Sequence, residues 1–204
     1  MGTKYIVNNV SGQTINGETF QRPYKVYTAL LTQNGSSEIL GLLGGDLTIG
    51  VTYIISTSIG NPDWTNVGAP NNEVGTYFVA TGTTPNSWGT PGESELIYNT
   101  GAPVVTVLEN TIGNVYWTFN TDGIYYATLT GAFINNKTWL SNPFGSGTAI
   151  YGVPALNDDL TNSGKFVIVT RESSDNVRVT TLNQPEDIDN NVLQNFPIEI
   201  RVYN

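Results

Sequence analysis

The chain has no cysteine and no histidine. Without cysteine there is no disulfide framework, and the redox compartment leaves no mark. With both absent, the usual zinc and copper sites and the Ser-His-Asp and Cys-His mechanisms are excluded. Basic residues are few. Lys and Arg number 8 against 17 Asp and Glu, for a formal net charge of −9. Such a surface repels nucleic acid and anionic membranes, so neither is expected as a partner. The basic residues are also unevenly spaced. After Lys25 the next is Lys137, and Glu38, Asp46, Asp63, Glu73, Glu93, Glu95, Glu109 and Asp122 lie between them. That span reads as a solvated acidic face; the alternatives are docking onto a basic partner and binding of a hard cation. Charge of either sign is scarce, at 12% of residues against about 25% in an ordinary domain. No apolar run approaches the roughly 18 residues of a membrane span. Residues 1–6, MGTKYI, lack the long apolar core of a signal peptide and the Ser or Thr of a myristoylation signal. The expectation is a soluble chain made in a cytoplasm.

Asn, Thr and Gly supply the polarity instead. Thr suits the solvent face of strands, and Asn and Gly suit tight turns. No window is dominated by Ala, Leu, Glu and Lys, so long helices are not expected. At 204 residues the chain is long enough to bury a core without staples. The densest strand-type block is 100–133, TGAPVVTVLENTIGNVYWTFNTDGIYYATLTGAF. In it Val115, Trp117 and Phe119 alternate with Tyr116 and Thr118, so an extended segment has one apolar face. Asp122-Gly123 then separates two such runs. Both residues tolerate positive φ, which makes the pair a strong hairpin signal.

Other strands are read at 4–7, 24–32, 51–56, 74–80, 95–98, 165–170, 177–182 and 196–203. Ser173-Ser174-Asp175-Asn176 is the turn of a second hairpin. The apolar patch 39–43, with Gly41, Gly44 and Gly45, reads as a junction. Gly60-Asn61-Pro62-Asp63-Trp64 reads as a tight loop running into one helical turn. Residues 140–156 carry Pro143, Gly145, Gly147, Gly152 and Pro154 and are expected to be irregular. Residues 185–193 are polar, with room for one helical turn. Residues 46–98 behave as a unit, and 40–99 reads as a small domain inserted into a larger one, where the ends of a turn are already close.

Four outer pieces resemble a β-sandwich module of tailed-bacteriophage structural proteins. They are YKVYTALLT at 24–32, PVVTVLENTIG at 103–113, WTFNTDGIYYATLTGAF at 117–133 and PIEIRVY at 197–203. In such modules the first two pieces are nearly adjacent, so the resemblance also implies an insertion between them. The insert resembles another small phage module, through GVTYIISTSIGNPDWTNVGAP at 50–70 and VGTYFVATG at 74–82. The resemblance implies virion assembly on heads, tails or fibres rather than a reaction.

Candidate chemistry is sparse. Glu93 and Glu95, two apart beside a strand, form a carboxylate pair of the kind glycoside hydrolysis uses; charged residues guarding a sheet edge explain them better. Asp187, Asp189 and Asn191 alternate, and Asn157-Asp158-Asp159 is acidic. Both offer oxygen ligands to Ca²⁺, but the Gly and distal Glu of an EF-hand loop are missing, and turn chemistry is the stronger reading. Trp64, Trp88, Trp117 and Trp139 offer faces on which sugar rings stack. Trp117 and Trp64 read as core. Trp88, in a Gly/Pro/Ser-rich loop, is the candidate glycan or partner contact, with Trp64 beside it. No catalytic residue, cofactor or metal site is assigned.

The expected fold is all-β: an antiparallel, jelly-roll-like β-sandwich from 1–39 and 100–204, with a small β domain at 40–99 projecting from one loop. The expected function is that of a non-enzymatic virion component, a capsid auxiliary or decoration protein. Its partners would be the major capsid protein or neighbouring head or tail subunits, in a homo-oligomer or multi-copy assembly within the virion. The alternative is a tail or fibre component that binds host surface glycan.

Overall fold

A computed structural model describes residues 14–15, 18–19, 22–33, 35–141, 149–153, 165–183, 187–188 and 192–204. The protein is all-β. Its strands are β1 (Thr14–Ile15), β2 (Glu18–Thr19), β3 (Tyr24–Thr32), β4 (Ile39–Leu42), β5 (Thr52–Thr57), β6 (Tyr77–Val79), β7 (Glu95–Asn99) and β8 (Val104–Asn110). They continue with β9 (Tyr116–Thr121), β10 (Ile124–Thr128), β11 (Thr138–Leu140), β12 (Ala149–Val153), β13 (Lys165–Arg171), β14 (Asn176–Asn183), β15 (Asp187–Ile188) and β16 (Phe196–Tyr203). The strand read at 4–7 and the acidic run 157–159 lie outside the described residues.

Apart from the short β1–β2 pair, the strands form three antiparallel sheets. One has the order β11-β16-β3-β8, and a second the order β12-β13-β14-β10-β9, with β15 on the end of β14. Alternation along their strands builds the sandwich core. Tyr27, Ala29 and Leu31 of β3 and Ile198 and Ile200 of β16 are buried, as are Trp117, Tyr125, Ala127, Val177 and Val179 of the second sheet. Each such large apolar side chain contributes about 1.5–3 kcal/mol relative to an exposed one.

The third sheet, β4-β7-β5-β6, lies wholly within 39–99. It has its own core, with Tyr53, Ile55, Trp64, Phe78 and Leu96 at the centre. The segment leaves β3 and returns to β8, which are themselves paired, Thr32 opposite Val104. Its two ends are also paired, Ile39 opposite Asn99, and Thr100 N–H donates to the Glu38 carbonyl at 2.8 Å. The insert does not project free of the sandwich. It lies along β9, the end strand of the second sheet among the described residues, and Val79 of β6 joins the sandwich core. A bare edge needs cover, and the insert provides it.

Several local expectations differ from the structure. Residues 39–42 form a strand, not a junction, because β7 needs a partner on its far side. β6 is shorter than the run 74–80. Gly75 takes φ +88° and Thr76 N–H donates to the Glu73 carbonyl, so Val74 sits on an exposed turn. Residues 149–153, expected to be irregular, form β12. Gly152 lies opposite Phe166, and pairing with β13 overrides glycine's poor strand preference. Asp187–Ile188 extends the sheet rather than starting a helical turn. The turn after Trp64 is a 3-10 turn at Thr65–Val67. In the first hairpin Gly123 has φ +63° while Asp122 stays at negative φ, and the register slips at Ile124/Tyr125. The turn is therefore closed by a bulge that leaves Asn120 unpaired, not by two left-handed residues.

Candidate functional site

A concavity lies between the insert and the sandwich. It follows from the two faces of the insert's sheet. Tyr53, Ile55, Phe78 and Leu96 turn into the insert's own core. Ile54, Tyr77 and Ile97 form a cross-strand row on the opposite face. That row looks toward Trp117, Thr118 and Phe119 on β9, enclosing a cleft of about 210 Å³. Tyr77 stacks on Tyr116 with centroids 4.6 Å apart and planes at 11°. Two hydrogen bonds fix the spacing. Trp117 N–H donates to Thr52 Oγ1 at 3.1 Å, and Asn114 Nδ2 donates to the Tyr77 carbonyl at 2.9 Å. Gly50, at φ +84°, presses against the backbone of Val105 and accepts its N–H at 2.9 Å. A side chain at Gly50 would force the insert and β8 apart.

The cleft is lined by aromatic rings, aliphatic side chains, hydroxyls and the Asn99 amide, with no carboxylate, Lys or Arg among the lining residues. Burial pushes the Tyr53 hydroxyl above its ordinary pKa, opposed by the Thr48 N–H that donates to it at 3.0 Å. The cleft therefore suits an uncharged, flat ligand held by stacking and neutral hydrogen bonds. Its lining holds no acid–base pair for catalysis near neutral pH.

The tryptophans singled out in the sequence lie elsewhere. Trp64 is fully buried at the centre of the insert's core. Trp88 is half-buried over it, edge-on, with centroids 6.0 Å apart and planes at 82°. The Trp88 indole N–H donates to the Gly45 carbonyl at 3.2 Å. The pair is a plug with one partly open face. Among the described residues the Trp64 indole N–H has no hydrogen-bond partner. Trp117 is fully buried, and Trp139 is the most open of the four at 40% exposure.

Glu93 is exposed in the turn before β7 and Glu95 opens that strand, half-buried over Gly41. Between them Ser94 is buried, bonding both the N–H and the carbonyl of Ile59. The two carboxylates thus flank a structural serine, and neither lines the cleft. Asp187 lies in β15, while Asp189 and Asn191 fall outside the described residues. Among the described residues no group of three or more acidic side chains is placed to hold a metal ion.

Reading the sequence did not single out a cluster on the outer face of the first sheet. Arg201 of β16 pairs across to Trp139 of β11. Its guanidinium stacks on the Trp139 ring at 4.6 Å and the Tyr24 ring at 4.8 Å, and its Nε donates to the Glu199 carboxylate. Tyr203 packs on Tyr24 with centroids 5.3 Å apart. The alternation in FPIEIRVY already put Glu199, Arg201 and Tyr203 on one face. Only the register brings Trp139 and Tyr24 to them.

Comparison of the chain with known protein families, with curated proteins and with solved structures finds no match.

Proposed function

We propose that the chain is a non-catalytic structural protein of a tailed-phage virion, acting as a capsid auxiliary or decoration protein. The observation that carries this reading is the interrupted β3–β8 ladder. The two pieces that resemble neighbouring strands of a phage module are hydrogen-bonded neighbours, although 39–99 stands between them. The surface suits the role. Val104, Val107 and Leu108 are exposed on β8, an edge strand of its sheet among the described residues, and the Tyr24, Trp139, Arg201 and Tyr203 cluster lies on the outer face of that sheet. Edge strands and aromatic–arginine clusters are common material of protein contacts. Many copies docking weakly at once, on the major capsid protein or on neighbouring head or tail subunits, hold together through avidity.

The test is copy number per purified particle, by quantitative mass spectrometry against the major capsid protein. Digestion with Glu-C or chymotrypsin avoids the trypsin-resistant span between Lys25 and Lys137. Hundreds of copies in a simple ratio to the capsid protein are expected. Absence from the particle overturns the reading.

The aromatic cleft favours a second reading, a tail or fibre component that binds host glycan. That reading expects at most some dozens of copies per particle. It also expects a glycan-array signal that disappears in Thr118→Trp, which fills the cleft.

A further inference from the structure

We infer that the open end of the sandwich carries a binding site for a carboxylate with an apolar body. The cavity there, of about 270 Å³, lies where loops 111–115 and 129–137 meet the start of β3 and the end of β16. Ile112, Ala132, Ile134 and Val202 supply the apolar part of its lining, Tyr203, Asn204 and the Gly131 backbone a polar part, and Lys25 and Lys137 complete it. The backbone fixes this arrangement. Lys25 is paired with Val202, which is paired in turn with Thr138, and Tyr203 N–H donates to the Lys137 carbonyl at 2.9 Å. The two lysines that bound the long base-free span of the sequence thus line one pocket.

Their charges are unused. The described arginines are engaged: Arg22 with Glu109, Arg171 with the Phe133 carbonyl, Arg178 with Glu172 and Arg201 with Glu199. Among the described residues neither lysine ammonium has an ion-pair or hydrogen-bond partner, and both side chains are exposed. Asp175 approaches this end, but its carboxylate already accepts from Gly131 N–H at 2.7 Å and from Ser174 Oγ at 3.0 Å. No Asp or Glu side chain lines the cavity. In a chain of net charge −9, two unpaired ammonium groups beside an aliphatic pocket form a local attractor for one anionic group. An acid with a hydrocarbon body fits this lining, its carboxylate meeting the lysines and its body the four aliphatic side chains. The site stands independently of the virion reading.

The test is an amide-resolved NMR titration of the ¹⁵N-labelled chain with 4-methylpentanoate, using 4-methylpentan-1-ol as the uncharged control. Saturable shifts confined to the amides around Ile112, Ala132, Lys137 and Val202 are expected with the acid alone. Affinity should fall at least about tenfold in Lys25→Met and in Lys137→Met, and should fall with added salt. Unchanged spectra elsewhere establish that these variants are folded. Equal binding of the alcohol, unchanged affinity in both variants, or no saturable shift overturns the proposal. Acetyl-Glu-Val-amide, titrated in parallel, separates the sources. Tighter binding of the peptide assigns the site to an acidic side chain of a protein partner, and tighter binding of the free acid assigns it to a small carboxylate.

Discussion

Trp117 donates its indole N–H to the hydroxyl of Tyr27 at 3.0 Å, and the bond crosses the sandwich from the second sheet to the first. Both side chains are fully buried. Tyr27→Phe would keep the ring and leave the indole N–H without its partner in the core. The expected cost is about 1–3 kcal/mol, read as a lower urea midpoint with an unchanged m-value.

The same hydroxyl makes stability fall at high pH. Burial raises Tyr27 from its ordinary value to about 12, with the bond from Trp117 opposing. Unfolded tyrosine loses its proton near 10, so between about pH 10 and pH 12 the folded state holds the proton that the unfolded state has released. The stabilisation is complete below that window and is lost as pH rises through it. Urea midpoints measured across the window should fall more steeply for the wild type than for Tyr27→Phe.

Asp63 acts at the other end of the scale. The Thr65 hydroxyl, the Asn86 amide and the Thr65 N–H donate to its carboxylate at 2.6, 2.9 and 3.0 Å and lower its pKa to about 2. Its contribution is present above the ordinary carboxylate range, near 4, and is lost as pH falls toward 2. Acid unfolding followed by tryptophan fluorescence should show a steeper loss over that range in the wild type than in Asp63→Asn. At neutral pH the variant should be the less stable.

Trp88→Ala and Trp139→Ala should behave differently. The first removes an edge-to-face partner, about 0.5–1.5 kcal/mol beyond the lost area, and opens Trp64 to water. It should lower the melting temperature and shift emission to the red. The second removes a 40% exposed ring from an arginine that keeps Tyr24 and Glu199. Its stability should stay close to wild type.

Replacing 41–98 with a short glycine link tests the independence of the sandwich. The paired ends at Ile39 and Asn99 make the gap easy to close. The sandwich should still fold, at reduced stability. Val79 leaves its core, and Trp117 N–H loses Thr52 Oγ1. Loss of cooperative unfolding in the shortened chain would make the insert part of a single folding unit.

Strands carried by strict alternation or by β-branched runs were legible from the residues alone. β3 and β16 have the bounds read from YKVYTALLT and FPIEIRVY. Trp117 is core for the same reason, while Trp64, in the loop before a 3-10 turn, fills the centre of the insert. What escaped was set by pairing rather than composition. β12 contains a glycine that only its partner strand holds extended. Trp88 was singled out for its Gly/Pro/Ser-rich loop, yet it packs on Trp64, and nothing local announces that contact. Trp139 and Arg201 meet through register, and pairing of β16 with β3 and β11 brings Lys25 and Lys137 to one cavity. Sites built across strands leave no contiguous motif.

The pairing of β3 with β16 orders events during synthesis. The insert's sheet needs only residues 39–99, so it can form while later strands are still being made. β3, completed earlier, finds one neighbour in β8 but waits for the last strand, Phe196–Tyr203, to find the other. Loop closure over that distance is slow, and until then one edge of β3 stays open to wrong partners. The nascent chain therefore carries a formed insert sheet beside an unfinished one, and its exposure to aggregation lasts until Phe196–Tyr203 has been made.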